Sequence, residues 1–161
     1  MKIYPLIFGL FLAVSCQENL SPNALNLQKD EMVIGDLLKN GSRNLSVTDN
    51  QLMSLYGKQF NLTSIDRIKS YLNDKNVQVL EFSGPHKDGK HYVTIGKAIE
   101  AKKGKLMMTM AGCTQSCTSD KDCSGCTLSV FGDCSGSCSC NTGMGSCTHT
   151  VTTSGGGGGI M

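Results

Sequence analysis

Tryptophan is missing from this 161-residue chain, and aromatic residues make up only 6% of it. Any core must therefore be small and mainly aliphatic. Net charge is also scarce: 15 Lys and Arg against 13 Asp and Glu leave a formal +2. That balance, with lysines scattered rather than clustered, excludes an electrostatic nucleic-acid binder. The apolar run Ile3–Val14, interrupted by Tyr4, Pro5 and Gly9, falls short of the about 20 residues that span a bilayer as a helix. No phosphate loop, G-x-S-x-G elbow or H-E-x-x-H pair occurs, so the common marks of nucleotide, serine and zinc enzymes are missing. The chain reads as a non-enzyme with no catalytic residues and no cofactor. Cysteine is absent from residues 17 to 112.

Beyond that gap cysteine is dense. Cys113, Cys117, Cys123, Cys126, Cys134, Cys138, Cys140 and Cys147 follow one another among Ser, Thr, Gly and Asp. Leu128, Val130, Phe131 and Met144 are almost the only large apolar residues between them. So little apolar surface cannot offset the entropy of ordering the segment, and covalent or metal staples are needed. An even number of cysteines in an exported chain points to disulfides. Their connectivity stays open, because eight cysteines allow 105 pairings.

Two other chemistries use the same residues. The Cys123-Ser124-Gly125-Cys126 and Cys138-Ser139-Cys140 spacings could place thiolates on a zinc ion, with His149 nearby. A zinc ribbon, however, requires a second C-x-x-C that the chain lacks. Cys123 and Cys126 could also form a redox pair. No βαβ pattern precedes them, and Asp120 and Asp122 would raise a thiol pKa rather than lower it. A disulfide framework is the expectation.

The ninth cysteine closes the leader. Met1-Lys2 and the apolar run fit a secretory signal. Leu12-Ala13-Val14-Ser15-Cys16 then resembles the lipobox of bacterial lipoproteins, in its relaxed small-residue-then-Cys form. The resemblance implies cleavage before Cys16, acylation of its thiol and a stable anchor in a lipid bilayer. Gln17 follows the cysteine, where an Asp would retain some lipoproteins in the inner membrane. The implied destination is the cell envelope, at the outer membrane or cell surface, where a protein or other surface component would be the partner.

The middle segment has ordinary patterning. Met32, Val33, Leu37 and Leu38 recur near helical spacing, with Gly41 as a C-cap, although Gly35 fits such a helix poorly. Thr48-Asp49-Asn50-Gln51 forms a capping box whose pattern ends at Gly57, and Thr63-Ser64-Ile65-Asp66 resembles another. Ile65, Ile68 and Leu72 would then share one helix face. From Val77 the period changes to two, predicting strands over 77–83, 92–101 and 106–110. Turns are expected at Gly84–Gly89 and Lys102–Lys105, and a last edge strand at 148–154. His86 and His91 flank the first turn with Asp88 between them, and they read as turn residues without the firm spacing of a metal triplet.

The expected fold class is α+β, with helices first and an antiparallel meander after. The expected organisation is a signal peptide over 1–15, a lipidated Cys16 and tether over 16–29, an α+β unit over 30–111, a cysteine-rich module over 112–150 and a glycine-rich tail over 151–161.

Overall fold

The computed structural model describes residues 31–154. The leader, Cys16, the tether and the glycine run lie outside that range, and so do the expectations placed on them.

The elements in chain order are β1 (Glu31–Leu37), β2 (Arg43–Leu45), the short helix α1 (Asp49–Leu52) continued by one wide helical turn (Met53–Gly57), β3 (Arg67–Leu72), β4 (Gln78–Pro85), β5 (Tyr92–Ala98), β6 (Glu100–Lys102), β7 (Lys105–Thr109), β8 (Gly112–Ser119), β9 (Cys126–Val130), β10 (Gly136–Cys140) and β11 (Cys147–Ser154). They form three antiparallel sheets, ordered β2-β1-β7-β6, β11-β8-β5-β4-β3 and β10-β9.

The five-stranded sheet is the middle layer. On one face Leu80, Phe82, Val93 and Ile95 pack with Ile34, Leu106 and Met108 of the four-stranded sheet, and Leu52 and Tyr56 close the end. On the other face Val79 and Cys117 pack under Leu128 and Val130 of the β9–β10 hairpin. This explains why β4 is buried along almost its whole length: adjacent residues point to opposite faces, and both faces are covered.

Gly96 lets the hairpin sit down. A Cβ there would lie 2.5 Å from Val130 Cγ2 and 2.8 Å from Leu128 Cδ2. The cysteine-rich stretch contributes β8 and β11 to the middle sheet, where β8 pairs β5 and β11 pairs β8. The edge strand expected at 148–154 is there as β11.

The α+β expectation is overturned: the described residues make a mainly β fold with one short helix. Two expected helices are strands. Residues 31–37 form β1, which pairs β7 through Glu31↔Thr109 and Met32↔Met108. Gly35, awkward in a helix, is required in this strand, because an added Cβ would collide with the backbone at Asn44 and Leu45. Residues 67–72 form β3, paired to β4 from Arg67↔Ser83 to Leu72↔Gln78.

The apparent capping box before β3 is used otherwise. Thr63 N–H donates to Pro85 O (3.0 Å) and Asp66 N–H to Ser83 O (2.9 Å), tying the segment to the end of β4. Short apolar runs fit a helix face and a strand face almost equally. Here the exposed ladder of β4 supplies the backbone partners that decide the matter.

The other capping box is real. Thr48 Oγ1 accepts from Gln51 N–H (3.3 Å), and Thr48 N–H donates to Gln51 Oε1 (2.9 Å). The helical stretch ends at Gly57 as expected. The Lys102–Lys105 turn is also observed, with positive φ at Lys103 and Gly104, the backbone of a two-residue hairpin turn.

Candidate functional site

The stapled face is built on strand parity. Cys113, Gln115 and Cys117 occupy alternate positions of β8 and point towards the β9–β10 hairpin. Disulfides join Cys113 to Cys134 and Cys117 to Cys138, fastening that hairpin to the middle sheet. Gln115 adds a polar tie, donating from Nε2 to Ser135 O (2.9 Å) and Phe131 O (3.4 Å). Its Oε1 lies 3.1 Å from His149 Nε2, so His149 serves packing at this layer rather than joining the sulfurs.

The second pair of bridges fastens the loop before β9. Cys123 joins Cys140 and Cys126 joins Cys147. Asp120 organises this loop: Oδ2 accepts from Ser146 N–H (2.8 Å) and Oγ–H (2.6 Å), while Oδ1 accepts from Asp122 N–H (3.0 Å). These donors, the Ser146 hydroxyl first, hold the carboxyl below its ordinary pKa.

All eight cysteines after the gap are therefore bridged. The C-x-x-C pair is brought close but not joined: Cys123 and Cys126 belong to two adjacent bridges. Cys123 Sγ lies 3.6 Å from Cys147 Sγ. The sulfurs of Cys123, Cys126 and Cys147 cluster within 4.8 Å because the two bridges stack. A sulfur held in a disulfide is not the thiolate that binds zinc or attacks a substrate.

The turn between β4 and β5 brings together three metal-capable side chains. His86 N–H donates to His91 O (3.0 Å) and Gly89 N–H to His86 O (3.0 Å), closing the turn. Lys87 N–H donates to Asn61 O (2.7 Å), tying it to the preceding segment. Asp88 Oδ1 accepts from the N–H groups of Lys90 (2.9 Å) and His91 (3.1 Å). These contacts, that from Lys90 first, hold the Asp88 carboxyl well below the usual carboxylate range. Its other oxygen, Oδ2, contacts His91 Nδ1 and lies 3.1 Å from His86 Nδ1.

No family model, no curated protein and no solved structure matches this chain. Its chemistry therefore has to be read from its own residues. Among the described residues, no helix is long and apolar enough to cross a membrane.

One residue escaped the sequence reading. Lys97 is only 2% exposed, with Nζ directed at Ala111 O (3.2 Å), Cys113 O (3.4 Å) and Thr114 Oγ1 (3.4 Å). Burial pushes its pKa down. A signal existed: Lys97 shares strand parity with Val93 and Ile95, so it had to face the same core.

Proposed function

We propose that this chain is an exported lipoprotein, held in the cell envelope by acyl chains on Cys16, whose stapled β fold serves a non-catalytic surface or interaction role. One observation carries the reading: the eight cysteines of the C-terminal stretch pair among themselves, so Cys16 is the odd one of nine. Disulfides persist in oxidising compartments outside the cytosol. An odd cysteine at the end of a secretory-type leader is accounted for by thioether lipidation.

The surface this fold would display is polar and rigid. The outward residues of the stapled hairpin are Thr127, Ser129, Ser137 and Ser139, all exposed, with Ser129 opposite Ser137 and Thr127 opposite Ser139. Beside it a recess of about 200 Å³ is lined by Arg67, Lys69, Glu81, Tyr92 and Asn141. The separate bridging of Cys123 and Cys126 favours this reading over a thiolate metal protein or a C-x-x-C redox protein.

The test is the intact mass of protein purified from its native membrane, before and after reduction with alkylation. The expected result is a chain beginning at a triacylated Cys16, whose eight remaining cysteines alkylate only after reduction. An unlipidated mass would remove the anchor, and alkylation without reduction would remove the disulfide framework.

A further inference from the structure

The turn between β4 and β5 concentrates ligand atoms in a way that closing a hairpin does not require. Asp88 Oδ1 alone satisfies the Lys90 and His91 N–H groups. That leaves Oδ2 and two imidazole nitrogens converging on one point. The ligand atoms of His86, Asp88 and His91 all lie within 4.8 Å of one another. Neighbouring ligands around a tetrahedral ion with bonds of 2.0–2.1 Å are separated by about 3.4 Å. The 3.1 Å between His86 Nδ1 and Asp88 Oδ2 is already near that value.

We propose that His86, Asp88 and His91 form a three-ligand site for a first-row divalent cation of the zinc or copper class, with His86 Nδ1, His91 Nδ1 and Asp88 Oδ2 as donors. Two imidazoles and one carboxylate suit borderline cations, whereas Mg²⁺ and Ca²⁺ prefer all-oxygen sets. The donors sit on a framework that is already ordered. The turn is closed by the His86–His91 backbone bond and braced from Asn61, and Gly89 takes the positive φ of 68° that it needs.

Two existing contacts give way on binding. His86 Nδ1 accepts from Asp88 N–H at 3.3 Å, a long and weak bond. His91 Nδ1 lies against Asp88 Oδ2, a contact the cation replaces by binding both atoms. Any proton carried by either Nδ1 is released. The three side chains are 27%, 34% and 33% exposed in chain order, so the site opens to solvent. Its fourth position is free for water or an exogenous ligand.

The experiment is calorimetric titration of the purified, oxidised protein with Zn²⁺, paired with imidazole nitrogen NMR. Saturable one-to-one binding is expected, with the Nδ1 signals of His86 and His91 moving and those of His149 staying in place. Mg²⁺ should give no saturable signal. Asp88→Asn retains an oxygen for the Lys90 and His91 N–H groups, so the turn persists. It should weaken Zn²⁺ by at least about 10-fold, a loss that even an outer-shell partner can produce. The double variant His86→Ala/His91→Ala should abolish saturable binding while leaving thermal unfolding close to that of the parent. Absence of saturable binding overturns the site, and so does undiminished binding by the double variant.

Discussion

Lys97 is enclosed by neutral acceptors, two backbone carbonyls and the Thr114 hydroxyl. The ammonium is costly to desolvate, yet those acceptors need a donor. Lys97→Met removes the desolvated ammonium at nearly constant volume but leaves those acceptors without its N–H donor, and it should cost roughly 1 kcal/mol. Lys97→Ala adds a cavity and should cost about 2–4 kcal/mol. Urea denaturation of the two variants measures the difference, and equal costs would mean that the side chain contributes little packing.

Asp120 gives a pH signature. Its folded pKa lies below the ordinary carboxylate value, so the folded protein gives up this proton more readily than the unfolded chain does. The stability it contributes is complete above the unfolded value of about 3.9 and is lost as pH falls through the folded one. Asp120→Asn should lower the melting temperature at neutral pH and make the acid limb shallower. Melting curves by circular dichroism from about pH 5 to about pH 2 report both. An acid limb as steep as the parent's would assign that sensitivity to other groups.

At the scale of elements, local signals were legible where the deciding interactions were local. The Thr48–Gln51 capping box closes within one turn, and the Lys103-Gly104 turn needs only its own backbone. The strand over 77–83 declared itself by its period, and it is observed as β4. The helices expected at 32–38 and 65–72 failed because their backbone partners are supplied from elsewhere, by β7 for β1 and by β4 for β3. Packing between layers makes its own demand at Gly96. Gly96→Val would drive side-chain carbons into Leu128 and Val130, and it should destabilise by at least about 2 kcal/mol, within the range for overpacked cores. Guanidinium denaturation provides the check. A neutral substitution would show that the β9–β10 hairpin can lift from β5.

Across the whole molecule the disulfides replace the core that the C-terminal stretch lacks. Their sequence separations are 21, 21, 17 and 21. Loop-closure entropy varies only with the logarithm of loop length, so each bridge should contribute a similar amount, about 3 kcal/mol. Burial then sets the order. Cys117 is fully buried beneath the hairpin, whereas Cys113 and Cys134 are only partly covered. Cys117→Ala/Cys138→Ala should therefore destabilise more than Cys113→Ala/Cys134→Ala, because it also leaves a void. Urea midpoints of the two double variants decide this, and the reverse order would point to a denatured-state effect.

The sequence by itself determined that residues 113–147 need staples, since their apolar content is too low to order them. It also determined the Lys102–Lys105 turn and the helix start at Thr48, because those depend on residues within a few positions. Tertiary structure alone decided strand against helix at β1 and β3, and which cysteine meets which. The partner strand of β1 and the partners of the cysteines lie well beyond a local window, whereas β3 is decided by the strand that follows it, from Leu72↔Gln78 out to Arg67↔Ser83. Glu31 lies opposite Thr109, and a pattern read over a dozen neighbouring residues contains nothing about such a partner.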